Sequence, residues 1–238
     1  MTAPFKTWTV LPHGRLTEVD EGVLTVVGEI GMLVGELPRR MTVVRLADRR
    51  LVIYSAIALD EPEMQALEAY GTPAFLVVPS DIHRLDARIW KDRYPALRVI
   101  APQGARAKVE EALPVDASDA DFGDANVRLI EAPGTQGHEA ALQVDGPNGS
   151  TLVLNDIVGN IRDPKGFGGW LLRVMNFAGE EPHVPGPVKM KLVKDKAALR
   201  RQLLRWAEIP SLKRILVSHG SVIDDDPAAV LRTLAASL

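Results

Sequence analysis

The sequence predicts an α/β fold built from two similar halves, and three observations carry that prediction. Residues 41–46 and 51–57 are β-rich runs separated by Ala47-Asp48-Arg49-Arg50, and residues 139–144 and 150–154 repeat this hairpin pattern around Gly146-Pro147-Asn148-Gly149. Residues 74–102 read as strand, polar loop, helix and strand, a βαβ unit. After each hairpin the chain continues in helical and strand-like runs, so the order recurs once. Hairpins in both halves speak against a single doubly wound parallel sheet.

The βαβ unit is the most legible stretch. Ala74-Phe75-Leu76-Val77-Val78 is too short for a lone helix, rich in strand formers and bounded by Pro79, as a buried strand would be. Leu85, Ile89 and Trp90 then recur at helical spacing. Tyr94-Pro95 stops that helix, because the residue before a proline is pushed out of helical geometry. Residues 97–101 supply the second strand. Upstream, residues 1–21 are irregular and 22–27 form a strand. Residues 28–40, with Gly28, Gly31, Gly35 and Pro38, read as loop, and 61–70 as a helix with Met64 and Leu67 three apart and Gly71 as its stop. Downstream, 103–113 is helical and ends at Pro114. The acidic, turn-rich residues 115–124 mark the midpoint of one domain spanning 1–238, with halves of about 1–120 and 121–238. In the second half 127–130 is a strand, 196–206 a helix carrying Leu199, Leu203, Leu204 and Trp206, and 214–217 a buried strand. Asp225 or Asp226 caps a last helix with Pro227 just inside its start.

Composition narrows the function classes. The 238 residues are 46% hydrophobic, enough for a real core. A net charge of −3 without a clustered basic run argues against nucleic acid as a partner. With no cysteine there is no disulfide framework, thiolate metal site or cysteine nucleophile, so any transition metal must be held by His and carboxylates. No apolar run approaches the roughly 20 residues of a membrane span. The N-terminal MTAPFKTWTVLPHG lacks a signal-peptide core, which makes the cytoplasm the expected compartment.

Four polar signals share one position, the loop just after an apolar strand: Asp81 with His83, the stretch 135–138 ending in His138, Asp156, and His219. Chemistry in open α/β sheets gathers where loops leave the carboxyl ends of strands. Imidazole and carboxylate together suit zinc, iron or manganese, and a bound water could then be activated for hydrolysis. Rival patterns are weaker. Ser218-His219 with Asp224 lacks a G-x-S-x-G elbow, and the glycines at 28–31 and 166–169 match neither dinucleotide nor phosphate-loop spacing.

The order of these motifs resembles the metallo-β-lactamase superfamily, whose fold is a four-layer αββα sandwich of two similar halves. The second motif of that family is matched at Val78-Pro79-Ser80-Asp81-Ile82-His83, the third at Pro133-Gly134-Thr135-Gln136-Gly137-His138, the fourth at Leu154-Asn155-Asp156 and the fifth at Ser218-His219-Gly220. Counting back from Tyr94-Pro95 sets His83 on the family's last His of the second motif. Its first two histidines would fall near Val78 and Ser80 and are missing. Its Asp falls at Ile82, one residue from Asp81, and Thr135 occupies the third motif's His. The resemblance spans roughly 22–238. His83 followed by Trp90 and Tyr94-Pro95 looks like the uncharacterised DUF4336 branch. What it implies is a reduced site that holds one divalent metal or none, with His83, Asp156 and His219 as ligands and Asp81 and His138 as catalytic groups or extra ligands. The implied activity is a metal-dependent hydrolase acting on a small-molecule substrate. The alternative is a silent member serving as a binding or scaffold module.

Plainer readings accompany the sharp ones. Asp81 could cap a helix beginning near His83, Asp86 reads as a surface charge, His138 as structural, and Trp90 as core. His13 and His183 carry no signal. Residues 159–187 break the strand–helix rhythm as an insertion with a short helix at 170–177. Phe167, Trp170, Leu171, Leu172, Val174, Met175 and Phe177 make it apolar. It reads as ordinary core, a lid over the Asp156 pocket, or a homodimer contact through 166–177. One Arg within it offers little charge to hold an anionic membrane surface.

Overall fold

The computed structural model describes residues 3–32, 35–162, 164 and 166–238. Alternation along the strands decides the architecture. On β4 (Arg50–Tyr54), Leu51 and Ile53 point to one face while Val52 and Tyr54 point to the other, and all four are buried. A strand apolar on both faces must be covered twice.

Among the described residues the first sheet has the order β1-β2-β3-β4-β5-β6, from β1 (Thr17–Asp20), β2 (Val23–Met32), β3 (Gly35–Arg45), β4, β5 (Thr72–Val77) and β6 (Arg98–Ile100). β1 to β4 are antiparallel, and β5 and β6 join in parallel. The second sheet runs β10-β9-β8-β7, from β7 (Val127–Glu131), β8 (Ala140–Gly146), β9 (Gly149–Asn160) and β10 (Leu212–Gly220), with only β9 and β10 parallel. Val44, Val52, Tyr54, Phe75 and Val77 of the first sheet meet Leu142, Val144, Val153 and Leu216 of the second in a dry middle layer. The outer face of the first sheet is covered by α1 (Glu61–Tyr70), α2 (Ala87–Arg93) and α3 (Arg106–Glu110), through Met64, Leu67, Ile89, Trp90 and Val109. That of the second is covered by α6 (Lys196–Ala207) and α7 (Pro227–Ala236), through Leu199, Leu203, Trp206, Leu231 and Leu234. Helix, sheet, sheet, helix is the four-layer αββα sandwich. Each buried aliphatic side chain in these layers contributes roughly 1.5–3 kcal/mol.

Local chemistry explains the element ends. Asp60 caps α1 by accepting from Glu63 N at 3.1 Å, and Asp226 caps α7 by accepting from Ala229 N at 3.0 Å, each with a proline in the first turn. Gly71 ends α1 for lack of room: a Cβ there would lie 2.4 Å from Arg49 O.

Several expectations are corrected. Residues 28–40 are not loop. Apart from positions 33 and 34, which lie outside the described residues, they extend β2 and β3 into a long paired arm. Pro38 is tolerated because Glu29, its partner in register, sends its N–H to Pro12 O at 2.9 Å, so the ladder needs no donor from Pro38. The helix expected over 103–113 shortens to α3. β9 continues six residues past Leu154, to Asn160. The insertion holds α4 (Gly166–Val174) and an unanticipated α5 (Gly186–Lys191). Asp86 is no surface charge: it is buried, pairs with the buried Arg39, and accepts from Ala58 N at 3.0 Å. Among the described residues no helix is long and apolar enough to cross a membrane.

Candidate metal centre

His83, Asp156 and His219 converge where the two sheets meet. Val78 to His83 leaves the carboxyl end of β5, and His219 stands near the end of β10. Asp156 is brought there by a break in the β9–β10 ladder. Val217 pairs with Leu154 but His219 already pairs with Gly159, so residues 155–158 bulge opposite Ser218. Gly220 lets β10 turn away. Its φ is +113°, and a Cβ would lie 2.0 Å from Asn160 O.

The three donor atoms form a nearly equilateral triangle. His83 Nε2 lies 3.2 Å from Asp156 Oδ1, His219 Nε2 lies 3.1 Å from the same oxygen, and the two Nε2 atoms are 3.2 Å apart. Bonds of about 2.0 Å to one tetrahedral ion would set donors about 3.3 Å apart, so the triangle fits three vertices and leaves a fourth position. Each imidazole is oriented from behind. His219 Nδ1 meets Pro38 O at 2.7 Å, which makes Nδ1 the donor and leaves Nε2 its lone pair when the ring is neutral. His83 Nδ1 meets Ser55 Oγ at 2.9 Å. Ser55 sits at φ +56°, a left-handed conformation uncommon outside glycine, held by its N–H to Val77 O at 3.0 Å.

The electrostatics follow from this packing. Burial alone would raise the carboxyl of Asp156, but His83 and His219 outweigh it and hold Asp156 well below the usual carboxylate range. Burial would lower His219, and Asp156 outweighs that, leaving the ring above its ordinary value.

A second cluster lies directly behind. Asn155 Nδ2 donates to Ser80 Oγ at 3.1 Å and Glu139 Oε1 at 3.2 Å, and Asn155 Oδ1 accepts from Ser218 Oγ at 2.7 Å. Glu139 Oε1 also accepts from Asp156 N at 2.9 Å. Burial first, and the charge of Asp156 second, push Glu139 well above the usual carboxylate range. Its Oε2 has no partner among the described residues. Thr135, also buried, turns its hydroxyl to Ala132 O at 2.7 Å.

Asp81 and His138 lie together, His138 Nδ1 3.8 Å from Asp81 Oδ2, and among the described residues neither makes a hydrogen bond or ion pair with the trio. Asp81 caps no helix, since α2 begins later, at Ala87. Trp90 is fully buried, its indole donating to Ile57 O at 3.1 Å. Sequence reasoning did not find Ser55, Pro38, Asn155, Glu139 or the Arg39–Asp86 pair. The Asp-Ala opening of α2 marks Asp86 as a helix-start residue, but its partners come from β3 and the 55–60 loop.

No family profile matches the chain, and no curated protein matches it by sequence. Solved structures do. The metallo-β-lactamase FIM-1 from Pseudomonas aeruginosa in its mono-zinc form superposes with a TM-score of 0.63 at 12% identity, covering 96% of each chain. A metallo-β-lactamase from Erythrobacter litoralis gives 0.62 at 15% identity over 94% of this chain and 96% of that one. One from Hirschia baltica gives 0.62 at 9% identity over 94% and 98%. The chain therefore has the metallo-β-lactamase fold, and at these identities the likeness extends to the fold alone.

Proposed function

We propose that the protein is a metal-dependent hydrolase-like member of this fold, with one divalent ion held by His83 Nε2, Asp156 Oδ1 and His219 Nε2. The observation that carries the reading is the 3.1–3.2 Å triangle of two imidazole nitrogens and a carboxylate oxygen, each imidazole tied at its far nitrogen. When bound, such an ion supplies Lewis acidity and makes water acidic enough to attack an ester, amide or phosphoester near neutral pH. Ser55 and Pro38 aim the two rings, and Asp156 supplies the negative charge. Asp81 and His138 stand as candidates to move a proton at the rim, since both are partly open to solvent.

One ion rather than two is favoured by what stands where further histidines would be. Val78 is aliphatic, Ser80 is committed to Asn155, and Thr135 to a backbone carbonyl. His83 with the fully buried Trp90 and with Tyr94-Pro95 at the end of α2 supports placing the chain near the uncharacterised DUF4336 branch. The silent binding module is favoured by one observation: the trio satisfies itself, and even its most open side chain, His219, is only 17% exposed.

Metal analysis of protein purified without chelator separates the two. About one equivalent of metal, lost in His219→Ala and released on acidification as the imidazoles protonate, supports the hydrolase-like reading. No metal in the wild type, with His219→Ala unchanged in fold, favours the silent module.

A further inference from the structure

Helix α4 carries an apolar face that is largely open among the described residues. At 100° per residue, Phe167, Trp170 and Val174 fall within about 60° of one another, opposite the buried Leu172 and Gly169. Leu172 packs with Ile161, Ala178 and Leu37, and that contact fixes the helix to the body. The outer face stays open: Phe167 is 76% exposed, Trp170 55% and Val174 62%, and the two aromatic rings stack at 5.6 Å. Helix α5 abuts the end of this segment, Gly186 N donating to Asn176 O at 3.2 Å, and carries Met190, 75% exposed, between Lys189 and Lys191.

From this pattern we infer that the α4–α5 segment docks the protein on an anionic lipid surface. Charge decides the occupant. Between Arg162 and Lys196 the sequence has seven Lys or Arg against four Asp or Glu, a net of +3 within a chain of net −3. The single Arg of α4 would hold such a surface poorly, and Lys191 of α5 adds to it, while Lys189 donates to Ser237 O. Apolar aromatics flanked by lysines are the composition of helices that lie in a lipid interface. A second copy fits less well. Phe167, Trp170, Val174 and Met190 expose on the order of 500 Å² between them, short of the roughly 800 Å² each partner of a stable dimer buries, and self-pairing would bring two net-positive segments together. A lid fits less well too, because the face points away from the body. Docking would also set the rim of the metal centre near the surface, since Leu37 beneath α4 adjoins Pro38, whose carbonyl holds His219.

Co-sedimentation with phosphatidylcholine vesicles, with and without an equal part of phosphatidylglycerol, tests this on the full chain. The expected result is binding to the anionic vesicles that weakens with salt. It should fall at least ~10-fold in Phe167→Ser/Trp170→Ser and severalfold in Lys191→Glu, with circular dichroism unchanged. Should the double variant fail to fold, brominated acyl chains serve instead. They should quench wild-type emission more than that of Trp170→Phe, a difference that separates Trp170 from the half-buried Trp8 and the buried Trp90 and Trp206. Absence of wild-type binding to anionic vesicles, or binding that survives these substitutions, overturns the proposal. So does a dimer in light scattering that the double variant converts to monomer, because the face would then be a self-contact.

Discussion

Asn155 and Asp156 are neighbours on β9 with side chains of nearly the same shape, and they serve opposite environments. Asn155 faces a dry network of Ser80, Ser218 and Glu139, where it both donates and accepts. Asp156 faces two imidazoles, with one oxygen shared between them. An amide brings its own donor and acceptor and so can be sealed among hydroxyls without charge. An ionised carboxylate accepts only, and when buried it demands cationic or metal partners. One atom's identity thus separates a structural knot from a candidate ligand site.

Exchanging the two chemistries is the most direct way to break that comparison. Asp156→Asn should weaken metal binding by at least ~100-fold, since a neutral amide replaces the only charged donor, as titration of the chelated protein with zinc would show. The reverse change, Asn155→Asp, places a carboxylate beside Glu139 and Asp156 in a dry pocket. It should cost about 3 kcal/mol in urea unfolding, and an unchanged midpoint would mean the network is wetter than its burial indicates. Arg39→Met, which strands the buried Asp86 in the loop that follows His83, should cost a similar ~3 kcal/mol, and Asp86→Leu added to it should restore most of the loss. Ser55→Ala keeps the trio but frees the His83 ring. A drop in metal affinity of about 10-fold is expected, with stability moving by only ~1 kcal/mol. Smallest of all, Glu139→Gln should change stability by less than ~0.5 kcal/mol, because the amide retains the oxygen that Asp156 N and Asn155 require.

The trio could be read from the chain because each member ends an apolar run, and apolar runs of this length mark buried strands whose ends gather in an α/β fold. What escaped the sequence was whatever depended on backbone. Pro38 orients His219 through its carbonyl, and every residue has a carbonyl. Ser55 acts from a left-handed turn inside a run, residues 51–57, that reads as continuous strand. The Gly and Pro content of 28–40 mimics a loop, yet those residues pair because Pro38 lies where the ladder asks for no donor. Asp86 looks like a solvent charge on its own helix, and only β3, 47 residues earlier, reveals Arg39 as its partner. The two hairpins, the βαβ unit and the caps at Asp60 and Asp226 obey local rules. The site's supports are long-range, and local pattern carries no trace of them.

The trio also joins distant parts of the chain. His83 belongs to the first sheet's loops and His219 to the second sheet, 136 positions later, and Arg40 already ties the same seam by donating to Val217 O at 3.0 Å and Gly220 O at 2.8 Å. In a protein without cysteine, an ion bridging these residues would act as its cross-link. It would close a loop of most of the chain and remove conformational freedom from the unfolded state, as a disulfide does. Ligand-linked stabilisation of about 4 kcal/mol is available when free metal stands a thousandfold above its dissociation constant. The melting temperature of the chelated protein should therefore climb as zinc is returned, and should not in His219→Ala. An ion placed on the seam would hold the two sheets together.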